Sequence, residues 1–333
     1  MGYVPMLLEK APTMDLYPLT FQPIYKDKIW GGRNLERLYG RHLPAGQLIG
    51  ESWELADLKE GVSVVANGPL AGRPLTELTR ELGKALLGNA QPMPDGRFPL
   101  LLKVLDAEDI LSLQVHPDEK AVKEIGPPAA LKTECWYVLE SRKGFVYKGV
   151  KPGVTAEQFR QAVQQDNPAD LCVRYDVKAG DFHYLPAGTV HALGSGVLVA
   201  EVQTPSDTTY RVSDWGRGRE IHVEMSMRCI RFDLRDETPP GATGETLLVT
   251  PYFIVSRHKA SHERKDLPAG KCTALMITDA SGDVTIAHAG SVEPTVRVRK
   301  GDTVLVPAGV KQPAIVSIGD VEFLQVTLPE TRS

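Results

Sequence analysis

One short frame occurs twice in this chain. Gly180-Asp181, four residues, Pro186-Ala187-Gly188, two residues and His191 return as Gly301-Asp302, Pro307-Ala308-Gly309 and Gln312 at identical internal spacing. At the same offset Glu201 falls on Glu322. Gly-Asp opens a turn, four residues make a short strand, and Pro-x-Gly turns the chain so that the last position of the frame re-enters a sheet. The agreement of five residue types at one spacing favours two related units over coincidence. The expectation is a mostly β protein built as two tandem β-barrels.

The rest of the chain agrees with many strands and few helices. Short β-branched runs bounded by Gly, Pro and Asp lie at 98–105, 110–116, 135–139, 171–177, 197–203, 246–256, 295–298, 303–306 and 321–328. Helical spacing is confined to the N-terminal part. It links Leu75, Leu78, Leu82, Ala85 and Leu86 ahead of Gly88, and a short helix fits 118–125 before Gly126-Pro127-Pro128. Residues 155–165 open with a capping box, Thr155 and Gln158, and carry Phe159 and Val163 on one side. A Pro/Gly-rich linker, Thr238-Pro239-Pro240-Gly241-Ala242-Thr243-Gly244, divides the 333 residues into 1–240, which carries the chemistry, and 241–333.

Composition narrows the classes of function. The chain has 38 Lys and Arg against 42 Asp and Glu, so its charge of −4 gives no global reason to bind nucleic acid or an anionic membrane. No apolar run approaches the roughly 18 residues of a membrane span. The start, MGYVPMLLEKAPTM, lacks the basic and apolar regions of a secretory signal, and Met6 stands where N-myristoylation requires Ser or Thr. Residues 1–13 hold no recognisable element, which leaves Met14 as an alternative start. Cys135, Cys172, Cys229 and Cys272 are far apart with no C-x-x-C pair, as expected of reduced thiols in a cytoplasmic protein.

The densest candidate site is Leu111-Ser112-Leu113-Gln114-Val115-His116-Pro117-Asp118. On a strand, Ser112, Gln114 and His116 share one face, and Leu113 and Val115 share the other. Lys132-Thr133-Glu134 opens a later strand, and His191 ends the first copy of the repeated frame. Two imidazoles, a carboxylate and an amide oxygen suit a borderline divalent ion such as Zn²⁺ with a position left open. Such an ion would act as an electrophile. His42, His222, His258, His262 and His288 read more simply as packed or surface residues, while His183 has an open role. The second copy has Gln312 in place of the histidine and no His-x-His or Gln-x-His before it, which makes 245–333 a structural module.

These residues carry a family resemblance. Ile29-Trp30-Gly31-Gly32, Gly50-Glu51-Ser52-Trp53-Glu54, Phe98-Pro99-Leu100-Leu101-Leu102-Lys103, the 111–118 segment, Lys132-Thr133-Glu134, Pro186-Ala187-Gly188-Thr189-Val190-His191 and the run EVQTPSDTTYRVSDWGR at 201–217 recur in order. On them the chain resembles the type I mannose-6-phosphate isomerases, particularly the shorter bacterial class, within the cupin superfamily. The resemblance implies two tandem cupin-type (jelly-roll) barrels, the second degenerate and without a metal. It also implies metal ligation by Gln114, His116, Glu134 and His191, usually of one zinc ion, and a catalytic Arg211. Lys103, Ser112 and Lys132 match positions near the substrate phosphate or its neighbouring oxygens, and Glu201 matches a further acid of the pocket. Leu131 stands where longer relatives carry His, so no proton-transfer role carries over to it. Arg217 stands where some carry Lys, which keeps the charge but removes a base.

The implied reaction, mannose 6-phosphate to fructose 6-phosphate, needs a carbonyl polariser, a base and stabilisation of developing negative charge. The ion and Arg211 are the electrophilic part, Glu201 is the first candidate base, and His183 and Lys132 stand behind it. Lys103, Lys132 and Arg217 are cations available to a phosphate. The expected partner is a small sugar phosphate, with no nucleic acid or membrane, and the protein is a monomer or homodimer. A sugar-phosphate sensor without turnover, or an iron-dependent cupin oxygenase, would be the alternatives. Arg211, Glu201 and Lys132 argue against the first and Gln114 against the second.

Overall fold

The fold is seen in a computed structural model, in which residues 15–234, 238–289 and 295–330 are described. The choice between Met1 and Met14 as start lies outside those residues. The chain is mostly β, and its strands form two successive pairs of antiparallel sheets and one two-stranded ribbon, Asp57–Leu58 with Gly61–Val62. In the first pair, a six-stranded sheet runs in the order Phe182–Leu185, Glu134–Ser141, Val197–Gln203, Leu101–Ala107, Ile49–Leu55, Ile24–Gly32. It faces a five-stranded sheet in the order Cys172–Asp176, Phe145–Val150, His191–Leu193, Leu113–Val115, Tyr210–Ser213. Leu105, Val138, Leu185 and Val199 from one sheet close on Val146 and Leu193 from the other, and this apolar cluster fills one end of the space between them. Polar side chains occupy the other end.

In the second pair, a six-stranded sheet faces Arg264–Asp266, Lys311–Ile318, Asp283–Ala289 and Thr295–Val298. Five of the six strands come from residues after the linker. The sixth, at the edge, is Leu19–Thr20, whose Leu19 pairs with Leu305. The outer face of the first pair's large sheet packs on this second large sheet: Leu102, Val104, Cys135 and Val202 share one buried cluster with Val255, Ala274, Met276 and Leu324. At roughly 25 cal/mol per Å² of apolar surface, a cluster of this size is a major source of cohesion between the two pairs.

The capping box is formed, with Thr155 accepting from the Gln158 amide ahead of the helix Ala156–Gln164. The helix expected at 118–125 is Glu119–Ile125, with the Asp118 side chain as its cap. The periodic stretch from Leu75 is two helices, Leu75–Leu82 and Lys84–Leu87, because Gly83 at φ +47° breaks the ladder. Two further helices, Asn34–Tyr39 and Val223–Cys229, are too short for hydrophobic periodicity to show.

Candidate active site

The strand Leu113–Val115 sorts its neighbours as the period-two pattern requires. Leu113 and Val115 are buried in an apolar cluster on the outer side of their sheet. Ser112 and Gln114 line a cleft of about 170 Å³ on the inner side, and His116 lies just beyond. His191 arrives beside this strand because the Pro186-Ala187-Gly188 turn reverses the chain; the Gly188 amide donates to the His116 carbonyl at 2.9 Å. Gly188 sits at φ +91°, and a Cβ there would lie 2.3 Å from Arg231, so only glycine serves. Glu134 enters from the opposite sheet.

His116, Glu134 and His191 thereby meet, with ligand-type atoms all within 4.8 Å of one another. His191 Nε2 is 3.1 Å and His116 Nε2 3.6 Å from the two Glu134 carboxylate oxygens. The remaining ring nitrogens are spoken for. His116 Nδ1 donates to the Thr208 carbonyl at 2.8 Å and His191 Nδ1 to the Thr189 carbonyl at 2.9 Å, which turns both Nε2 lone pairs inward. His116 Nε2 and both Glu134 oxygens are buried without a hydrogen bond among the described residues. Orphaned acceptors converging in this way fit a cation of the N/O-binding kind. Gln114 Nε2 lies 3.2 Å from His191 Nε2, and rotating the amide about its terminal bond presents its oxygen to the same point. Burial and the Lys132 charge push the His116 pKa down to about 3, so its imidazole is neutral at pH 7. Burial alone would raise Glu134, but Lys132 and the two histidines hold it well below the usual carboxylate range.

Next to this group a row of charges crosses the large sheet, buried except for the part-exposed Lys28. Lys28 Nζ is 2.9 Å from Glu51, Lys103 Nζ is 3.5 Å from Glu51 and 3.2 Å from Glu201, and Lys132 Nζ is 3.3 Å from Glu134. Trp53 and Trp136 donate their indole N–H groups to Glu51 at 2.7 Å and to Glu201 at 2.8 Å. Lys103 and Glu201 are directly cross-strand, which fixes their contact. Glu201 is fully buried. Burial and the Glu134 charge raise its pKa against the opposing pull of Lys103 and Lys132. For Glu51, Lys103 and Lys28 overcome burial and bring the carboxyl down to about 2.

Of the arginines, Arg211 sits opposite Gln114 and lines the cleft; among the described residues no carboxylate is within ion-pair distance of it. Burial and the nearby Arg219 lower its pKa. Arg217, expected as a phosphate contact, does not line the cleft. Its guanidinium is tied to Asp214 at 3.0 Å, Asp109 at 3.4 Å and the Ile110 carbonyl at 2.7 Å. Arg219 lines the cleft instead, braced by the same Asp214. Lys28, Glu51, Asp207 and Arg219 are lining residues that the sequence reading did not single out. His183 pairs with Trp136 across the sheet but is not part of the cleft lining. Trp30 is a buried part of the cleft wall and Trp53 is core, and Gln312 of the second copy is exposed at φ +48°.

Residues 19–161 match the family model described as phosphomannose isomerase type I, catalytic domain. The chain is 34% identical to the mannose-6-phosphate isomerase of Streptococcus mutans over 306 residues, covering 88% of this chain and 93% of that one. It is 35% identical to mannose-6-phosphate isomerase ManA of Bacillus subtilis over 309 residues, covering 89% and 95%. Among solved structures, a mannose 6-phosphate isomerase from Bacillus subtilis superposes with a TM-score of 0.81 at 28% identity, covering 93% of this chain and 99% of that one. With relatives at this identity over nearly its whole length, and a buried His-Glu-His group at the head of a cationic cleft, the chain belongs to the type I phosphomannose isomerase family.

Proposed function

We propose that this chain interconverts mannose 6-phosphate and fructose 6-phosphate by moving a proton between C1 and C2 of the open-chain sugar. The observation that carries the reading is a buried carboxylate, Glu201, held beside Lys103 in the cleft that leads to His116, Glu134 and His191. Glu201 takes the C2 proton of the aldose and returns it to C1, while the C2 hydroxyl proton passes to the C1 oxygen, giving the ketose with atoms balanced. Its raised pKa brings the base closer to the working pH. Lys132 and Arg211 face the oxygens on which negative charge develops. Lys103 keeps Glu201 ionised and in place.

Zn²⁺ is the ion best matched to His116, Glu134 and His191 with Gln114 as fourth ligand, and when bound it supplies Lewis-acid polarisation of the sugar oxygens. The phosphate is held by Ser112 and Arg219. Arg217 contributes at one remove, by fixing Asp214 against Arg219. The chemistry belongs to 1–240, and 241–333 is a metal-free support, each unit closing as a cupin-type barrel. Cys135, Cys172, Cys229 and Cys272 are all buried and unpaired, and no described helix is long and apolar enough to cross a membrane; the reading places the enzyme in the cytoplasm, as a monomer or homodimer.

The test is a coupled assay for fructose 6-phosphate, run as purified, after chelation and after Zn²⁺ is restored, with Arg211→Ala and His116→Ala alongside. Activity lost on chelation, recovered with metal and missing in both variants supports the assignment. A folded, metal-loaded protein without turnover overturns it.

A further inference from the structure

We propose that Arg41 is a positioning residue for this site, and that through it the C-terminal sheet pair holds the strand Ile49–Leu55 in register with Lys103 and Glu201. The consequence for catalysis rests on the reading of Glu201 given above. The strand has two working faces. Glu51 and Trp53 project toward Lys103. Ser52 and Glu54 project the other way, into Arg41.

Arg41 grips that second face with a fork. Nη1 donates to Ser52 Oγ at 2.8 Å and Glu54 Oε1 at 2.6 Å, and Nη2 donates to Glu54 Oε2 at 2.9 Å. Nη2 also donates to the Gly301 carbonyl, which belongs to the second module. The side chains of Arg41 and Glu54 are only 9% and 3% exposed, so a paired, bidentate charge is shielded from water here. Gly301 is the first glycine of the second repeated frame. It sits at φ +89°, and a Cβ there would lie 2.5 Å from Tyr39 Cγ, so the carbonyl reaches Arg41 only from a glycine.

Much of the second frame has become a docking surface. Its Ala308 and Gly309 amides donate to the Leu86 and Ala85 carbonyls at 2.9 and 2.8 Å, and its Glu322 accepts from the Tyr137 hydroxyl. In the first frame the equivalent positions build the pocket: Gly188 shapes the turn before His191, and Glu201 is the buried acid. Of the docking contacts, the one at Arg41 ends on the strand that carries Glu51. Glu51 holds Lys103, and Lys103 holds Glu201.

The test compares Arg41→Met, Arg41→Lys and Glu322→Gln in the full metal-loaded chain; Glu322→Gln takes the charge out of the inter-module contact with Tyr137, and out of the Lys259 ion pair, without touching this strand. Arg41→Met should lower kcat by about 10-fold while KM stays within about 2-fold and bound metal is unchanged, because the oxygen- and phosphate-facing groups lie elsewhere. Arg41→Lys, which keeps a contact to Glu54 but not the fork, should recover part of that loss. Glu322→Gln should lower the melting temperature and leave kcat alone. Hydrogen exchange should rise about 10-fold in Ile49–Leu55 for Arg41→Met and not for Glu322→Gln. Parental kcat in Arg41→Met, or an equal fall in Glu322→Gln, overturns the proposal. If Arg41→Met does not fold, Ser52→Ala reads the same link, and parental kcat with unchanged exchange there overturns it. An inactive parent chain would sink the isomerase reading, while the exchange pattern would still decide the link.

Discussion

Lys103→Met removes one positive charge from between two buried carboxylates and keeps nearly the same volume. Lys103 Nζ lies 3.2 Å from Glu201 and 3.5 Å from Glu51. At an effective dielectric near 20, each contact amounts to about 5 kcal/mol of attraction. Relief of the ammonium's own desolvation offsets several kcal/mol, which leaves a net loss of about 3–5 kcal/mol, as for other broken buried pairs. That is a large share of a typical stability of about 5–15 kcal/mol. Urea unfolding of parent and variant at one fixed free-metal concentration measures it.

The pH dependence sharpens the test. In the parent, Glu51 is depressed to about 2, so its contribution is present above the ordinary carboxyl value and is lost as pH falls toward 2. In the variant, Glu201 loses a cation that opposed burial and its already raised value climbs further, while Glu51 keeps only Lys28 against burial and its value climbs too. A raised group such as Glu201 destabilises at neutral pH and ceases to do so once protonated, so the deficit should shrink from pH 7 to pH 5. Adding Glu51→Gln to Lys103→Met should return part of the loss in a double-mutant cycle. A deficit under about 1 kcal/mol at pH 7, or one that stays constant as pH falls, refutes the account of Lys103 as the keystone of this row.

Three further outcomes are expected. The acidic limb of kcat/KM should lie above the ordinary glutamate value, because burial and Glu134 raise Glu201, and Lys103→Met should move it higher still; a limb at the ordinary value argues for another base. Arg211→Ala should cost about 10²–10³ in kcat/KM, whereas Arg217→Ala should act mainly on KM by loosening Asp214 and Arg219; steady-state kinetics separate the two. Without metal, the protein should lose stability as pH drops from about 6.5 toward 3, since the unfolded chain protonates His116 well before the fold does; melting curves at pH 7 and pH 5 check this.

The sequence was most legible where one local rule decides the outcome. The capping box at Thr155 and Gln158 marks its helix start, and 197–203, 295–298 and 303–306 are strands at the expected bounds. Ser112, Gln114 and His116 separate from Leu113 and Val115 because a strand has no other period. The strand Ile49–Leu55 escaped that logic. Every one of its residues is buried, yet Glu51, Ser52 and Glu54 are polar and satisfied on both faces, so no alternation betrays it. Gly31 and Gly50 carry a signal in hindsight: a Cβ on Gly31 would lie 2.4 Å from the Gly50 amide nitrogen, a crossing that brings Lys28 and Trp30 to the cleft. Arg217 and Arg219 could not be told apart in Asp214-Trp215-Gly216-Arg217-Gly218-Arg219. Which one faces the cleft depends on the turn, where Trp215 at φ +55° stacks on Tyr147 and donates to the Leu111 carbonyl.

The short edge strand Leu19–Thr20 has a consequence for how the chain is made. It leaves the ribosome well ahead of its partner around Leu305, which follows almost three hundred residues later. At about 5–20 residues per second, that segment waits between a quarter of a minute and a full minute for its place in the second sheet. The strand 303–306 pairs with Thr273–Met276 on one side and stays bare on the other until the early segment reaches it, and an open strand edge invites pairing with other nascent chains. Cutting the chain after Thr20 would therefore do its first damage at the opposite end of the sequence.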